Sequence, residues 1–172
     1  IWFFALIWLC FAANSFAIDW PVWPDSTVHY IGQGYGQYQY FPVPGDSNAF
    51  IHTGVDILVP ENTPVYALKS GWVRSISTIS GDMHWRVAIE NTDGFPKRSY
   101  VYAHLEQSSM TDEAGLSVGD YVEEGQFLGR IVHFTWSGDT TIVFDHIHLS
   151  IVDAYDWSDP FSWEYLGNPL DS

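Results

Sequence analysis

Cysteine is almost missing from this chain: Cys10 is the only one in 172 residues. One thiol cannot close an intrachain disulfide, and it cannot supply the sulfur ligands of a structural zinc finger. Basic residues are scarce too, 6 against 21 acidic ones, for a formal charge of −15. That balance argues against nucleic acid as a partner, because phosphate binding needs clustered Lys and Arg. It also argues against electrostatic docking on anionic lipid. An acidic surface chiefly means solubility. No His-Glu-x-x-His occurs, which excludes the helix-borne zinc site with a glutamate base. No window carries a convincing long amphipathic helix; Met110–Ala114 makes one turn at most. There is no internal repeat and no low-complexity tract.

What is present is apolar and aromatic: 47% hydrophobic residues and 17% aromatic ones, enough for one domain with a real core. Residues 1–17 begin with an apolar run, Ile1 to Phe11, and end with Ser15 and Ala17 at the small-residue places of a signal-peptidase site. They read as a secretory signal cleaved after Ala17, with its basic n-region and initiating Met missing. An uncleaved anchor is the alternative, although the run is short for a bilayer. Trp8 and Leu9 are too bulky for lipoprotein cleavage before Cys10, so no lipidation is expected.

Residues 18–49 are rich in Trp, Pro, Gly, Tyr and Gln and read as an irregular lead-in with at most one short strand. From residue 50 to 172, Val-, Ile-, Tyr- and Trp-rich runs alternate with Gly, Asp, Asn and Pro turns, the pattern of an antiparallel β-domain with little helix. Strands are expected near Val55–Leu58, Pro64–Leu68, Gly71–Ile79, Trp85–Asn91, Ser99–His104, Gln126–Val132 and Ile142–Val152. Asp93-Gly94 is a good hairpin turn between two of them.

Four histidines and an aspartate carry the chemistry: His52-Thr-Gly-Val-Asp56, Tyr102-Ala-His104-Leu, and His146-Ile-His148. Catalytic zinc sites take about three His, Asp or Glu ligands and keep one position for water. His146 and His148 are two apart. A strand puts both on one face; a helix would point them roughly 200° apart. His52 and Asp56 also share a face if their segment is extended. A lone histidine is ordinarily a surface or core residue, and His29, His84 and His133 are read that way. Tyr100 and Tyr102 alternate with Val101 and so share the expected face of His104, which makes Tyr102 a candidate substrate-binding residue.

In this order the motifs resemble the lysostaphin/LytM-type zinc metallopeptidases, enzymes that cut the peptides of bacterial cell walls. The resemblance runs over about residues 50–152 and includes Val118-Gly-Asp-Tyr-Val-Glu-Glu-Gly-Gln-Phe-Leu-Gly129 and Gly167-Asn-Pro-Leu170. It implies a barrel-sandwich, lysostaphin-type catalytic domain. It implies one Zn2+ held by His52, Asp56 and His148, with His104 and His146 as the catalytic pair. Zinc at that site would lower the pKa of a bound water toward about 7 and polarise the scissile carbonyl. One histidine would then move a proton to the leaving amine and the other stabilise the oxyanion, the division between them being open. The implied protein is a secreted or periplasmic, monomeric endopeptidase acting on peptidoglycan peptides.

Three departures from the family pattern stand out. Phe50 replaces an Arg two places before the first metal His. Leu149-Ser150 replaces an aromatic and an acid after the last His. Val132-His-Phe-Thr-Trp136 replaces a Gly/Thr-rich loop. Two competing readings are a catalytically silent domain regulating another wall hydrolase, and a biotinyl or lipoyl carrier built on Lys69. The first would be expected to lose ligands, and the second has its Lys on the wrong side of the Val-Gly-Asp stretch.

Overall fold

The computed structural model of the protein describes residues 21–22, 29–39, 50–78, 85–91, 98–136 and 139–153. The expected signal (1–17), the Asp93-Gly94 turn and the Gly167–Leu170 motif lie outside the described residues. Among the described residues no helix is long and apolar enough to cross a membrane.

Thirteen short strands carry the described fold: β1 (Tyr30–Gln33), β2 (Tyr38–Gln39), β3 (Phe50–Ile51), β4 (Val55–Leu58), β5 (Pro64–Tyr66), β6 (Gly71–Thr78), β7 (Trp85–Asn91), β8 (Arg98–Leu105), β9 (Tyr121–Val122), β10 (Phe127–Arg130), β11 (Thr135–Trp136), β12 (Asp139–Val143) and β13 (His146–Asp153). A single π-type turn, Ser109–Glu113, follows β8 where one turn of helix was expected. Seven strands form one antiparallel sheet in the order β1-β4-β13-β8-β7-β6-β9. β5 and β10, β11 and β12, and β2 and β3 form two-stranded ribbons.

Period-2 alternation divides the large sheet into two faces. Ile57 pairs with Ile147 and Val87 with Tyr102, and these side chains enter the main core. Val65 and Leu128 of the β5–β10 ribbon, Met110 of the π-type turn and Leu105 complete it. Each fully buried aliphatic side chain there contributes roughly 1.5–3 kcal/mol. The opposite face carries Asp56, His148 and Ala103 in one cross-strand row, with His148 opposite both neighbours. One row further along, Ala88 and Val101 pack with Val152 in a small second cluster.

Two findings differ from the sequence reading. The strand expected over Ile142–Val152 is two strands, β12 and β13, interrupted at Phe144-Asp145. There the Asp145 carboxylate accepts the backbone N–H of Phe134 (2.7 Å) and of Glu61 (3.2 Å) and meets His133 Nδ1 at 3.0 Å. Those three tethers turn the chain away from a continuous ladder. The stretch read as an irregular lead-in with at most one short strand carries two, β1 and β2, and β1 joins the large sheet as the edge neighbour of β4. With β2 paired to β3, the two arms 30–39 and 50–58 make one long hairpin with a corner in it.

Candidate metal centre

His52 stands at that corner. Its backbone N–H donates to the Gln37 carbonyl (2.9 Å), and its carbonyl accepts the Gly36 N–H (2.8 Å). The chain then bends at Gly54 and enters β4, which brings Asp56 back beneath His52. The bend needs glycine: a Cβ at position 54 would lie 2.5 Å from His148 Nε2 and 2.7 Å from the Leu149 carbonyl and Ser150 Oγ. On β13 the i, i+2 spacing puts His146 and His148 on the face opposite Ile147, as a strand dictates. Asp56 and His148 then meet as direct cross-strand partners.

His104 reaches the same place by a different route. β8 has a bulge against β7: Leu105 pairs with Trp85 and Ala103 with Arg86, leaving His104 as the extra residue. Its φ is +63°, in the left-handed region. A bulge re-aims a side chain and shifts everything beyond it by one place. The core face therefore runs Tyr102, then Leu105, while the His104 ring leaves that face and lies 4.4 Å, centroid to centroid, from the ring of His146.

This corrects the reading of Tyr102. Simple alternation put it beside His104, lining a groove. Tyr102 is fully buried in the main core, and its hydroxyl oxygen accepts the Leu68 N–H at 2.8 Å. Burial pushes its phenol well above the usual value. It has no surface to offer a substrate.

Three atoms converge at the centre: His52 Nε2, Asp56 Oδ1 and His148 Nδ1. They stand 3.0 Å (His52–Asp56), 2.8 Å (His148–Asp56) and 3.0 Å (His52–His148) apart. His52 and Asp56 are buried and His148 is partly exposed. A tetrahedral ion with ligands about 2.0–2.2 Å away would space them roughly 3.3–3.6 Å apart, so the trio needs to open by well under about 1 Å. The tautomers fit as well. His52 Nδ1–H donates to the Gly34 carbonyl (3.0 Å), so in the neutral ring Nε2 holds a lone pair. His148 Nε2 meets Ser150 Oγ at 2.8 Å, an arrangement that leaves Nδ1 for a cation. Two lone pairs and a carboxylate aimed at one point repel unless a proton or a metal ion lies among them. This donor set therefore fits a zinc-type ion.

The electrostatics point the same way. Burial pulls His52 down, but the hydrogen bond and charge of Asp56, with the Gly34 carbonyl, offset this and leave it raised. Burial pushes the Asp56 carboxyl up, yet hydrogen bonds to His148 and His52 and the nearby imidazole charges hold it well below the usual carboxylate range. His146 is lowered, mainly by its own burial, against the pull of Asp56. Its Nδ1–H donates to the Phe144 carbonyl (2.5 Å), and its Nε2 lies 3.7 Å from Asp56 Oδ1, at the rim of the trio. Phe134 closes this side, its ring 5.1 Å from those of both His104 and His146. Past Phe144, whose ring is 4.6 Å from that of His146, an open groove of about 300 Å³ is lined by Leu58, Val59, Pro60, Val143, Phe144 and Asp145.

The structure thus brings His52, Asp56, His104, His146 and His148 together and leaves Tyr102 out. His133 is an exposed partner of Asp145, away from the trio's contacts, and His84 lies outside the described residues. The sequence reading missed the Gly34 carbonyl, for which no residue type gives a signal. It also missed Ser150 as a partner of His148, although their i, i+2 spacing on a strand carries that information.

A His-Asp-His trio that could hold a metal ion, carried on an antiparallel sheet with two further imidazoles beside it, fits the class of β-scaffold metallopeptidases. The chain belongs to peptidase family M23, whose model matches residues 50–160. It is 32% identical to the lysostaphins of Staphylococcus staphylolyticus and Staphylococcus simulans over 118 residues, 68% of this chain, and it spans only about a fifth of the length of those curated relatives. Among solved structures, the catalytic domain of lysostaphin from S. simulans matches with a TM-score of 0.52 at 24% identity, covering 84% of this chain and 93% of that one. A zinc-containing peptidase from Vibrio cholerae matches with a TM-score of 0.56 at 21% identity, over 77% of this chain and 35% of that one. At those identities the likeness lies in the fold, which is the all-β, lysostaphin-type domain.

Proposed function

We propose that the chain is an exported, monomeric zinc endopeptidase that hydrolyses peptide bonds of bacterial peptidoglycan, with residues 1–17 as its cleaved signal. One observation carries the reading: His52 Nε2, Asp56 Oδ1 and His148 Nδ1 meet within 3.0 Å of one another, with His104 and His146 against them. The exported setting and the wall substrate rest on the family and on the lysostaphin relatives.

His52, Asp56 and His148 would hold one Zn2+. Bound there, the ion supplies a water of lowered pKa and polarises the scissile carbonyl. His146, kept neutral by its burial and with Nδ1–H committed to the Phe144 carbonyl, presents the lone pair of Nε2 to the centre. That makes His146 the residue placed to accept a proton and deliver it to the leaving amine. His104, its ring tilted at 4.4 Å from that of His146 and aimed by its bulge, is the residue placed to donate to the developing oxyanion. Phe134 shields both rings from water, and the groove past Phe144 receives an apolar part of the peptide.

The test is mass spectrometry of the soluble products when purified peptidoglycan is incubated with the protein and zinc, with and without a chelator. Chelator-sensitive fragments with a newly cut peptide bond are the expected result and identify the bond. Untouched peptidoglycan from a folded, zinc-loaded protein would overturn the reading in favour of a silent regulatory domain.

A further inference from the structure

The residues around His52 carry a second conclusion, which rests on the zinc reading above. The turn before β2 encloses the His52 backbone and ring on one side. The Gly34 carbonyl accepts both the Gln37 N–H (3.3 Å) and the His52 Nδ1–H (3.0 Å). The Gly34 N–H donates to the side chain of Gln37 at Oε1 (3.1 Å). Gln37 then accepts the His52 N–H on its own carbonyl, while the Gly36 N–H donates to the His52 carbonyl. Gly36 has φ +75°, which closes the turn at a residue with no side chain to strain. Every hydrogen-bonding group of His52 except Nε2 is thereby engaged by residues 34–37.

We propose that the turn Gly34–Gln37 is a positioning clamp for the metal ligand His52, and that Gln37 is the side chain that locks it. The Gly34 carbonyl fixes which imidazole nitrogen carries the hydrogen. That carbonyl, in the Gly34–Tyr35 peptide unit, can do so only while Gly34 keeps its backbone angles. The Gln37 N–H anchors the carbonyl and Gln37 Oε1 anchors the Gly34 N–H in the peptide unit before it, so Gln37 brackets Gly34 on both sides and links an exposed side chain to the trio. Outer partners of metal-bound histidines are worth about 10- to 100-fold in metal affinity. Gln37 acts one step further out, so its effect belongs at the lower end. The inference also makes residues 34–37, within the stretch read as an irregular lead-in, part of the metal centre.

The experiment compares the full chain with Gln37→Ala and Gln37→Glu. Zinc affinity is measured by competition with a chromophoric chelator, ligand geometry by the visible spectrum of the Co2+ form, and stability by thermal melting of the metal-free protein. Gln37→Ala is expected to bind zinc roughly tenfold more weakly, with a changed cobalt spectrum and an unchanged metal-free melting temperature. Gln37→Glu keeps the acceptor and restores the cobalt spectrum. The clamp is overturned if Gln37→Ala binds zinc within twofold of the parent with the parent's spectrum. It is equally overturned if weaker binding tracks a lower melting temperature and Gln37→Glu rescues nothing. A parent chain that binds no zinc at all would sink the metallopeptidase reading and the clamp together, an outcome distinct from either.

Discussion

Each imidazole of the trio has one nitrogen assigned to an outer oxygen and the other aimed at the centre. His146 shares that division of labour, so what separates the two kinds of histidine is distance: its Nε2 lies 3.7 Å from Asp56 Oδ1, outside the close trio. His148→Ala should abolish hydrolysis and strip zinc, because two protein ligands hold the ion poorly; His104→Ala should abolish hydrolysis with zinc retained. Metal analysis beside an activity assay checks both. In the metal-free protein the raised pKa of His52 means that it holds its proton to higher pH than a free imidazole. Zinc must displace that proton, so affinity falls as the pH drops through this raised value, and zinc uptake at a pH below it releases protons. Calorimetry in two buffers of different ionisation enthalpy would measure the release. Gly54→Ala should push His148 off Ser150 and weaken zinc binding by about tenfold or more, since a Cβ there overlaps the ring nitrogen. That His146 and His148 share a face was legible in their i, i+2 spacing, whereas His52 meets Asp56 across the Gly54 bend and His104 arrives through a bulge, which no strand period gives. The Gly34 carbonyl was not legible either, since any residue type has one.

At the scale of elements, the β8 bulge decides what the sequence pattern could not. Alternation through Tyr100, Val101 and Tyr102 is correct until one extra residue shifts the phase, and a bulge leaves no reliable mark in residue types. His104 takes the shift in a left-handed conformation that costs a residue with a Cβ roughly 1–2 kcal/mol. His104→Gly should thus lose activity yet keep stability within about 1 kcal/mol of the parent, strain relief and chain entropy nearly cancelling. His104→Val should lose activity and roughly 1–3 kcal/mol besides. Denaturant unfolding of the two variants reads the difference. Tyr102→Phe tests the corrected role: it leaves the Leu68 N–H without its partner, costs about 1–2 kcal/mol, and leaves catalysis untouched. The break at Phe144-Asp145 was hidden for a similar reason. Ile142–Val152 reads as one strand-forming run, and only the Asp145 carboxylate's contacts across the fold interrupt it.

For the molecule as a whole, one sheet does two jobs on its two faces. One face is sealed by aliphatic packing under the β5–β10 ribbon; the other holds the polar site. The antiparallel class was readable because short β-branched runs and turn residues alternate along most of the chain, whereas the strand order, set by contacts distant in sequence, was not. The formal charge of −15 works against compaction through self-repulsion. Raising neutral salt from low ionic strength to about 0.15 M, where the screening length is about 8 Å, should raise the metal-free melting temperature. A melting series in sodium chloride checks this, and a flat or falling trend would contradict it. Pairing β2 with β3 ties the two ends of the stretch from residue 40 to 49 together before the chain reaches His52. The corner is thus held like a hinge pin between two pairings, so a substitution in β2 or β3 that touches none of the five site residues should still reach the trio through the His52 backbone.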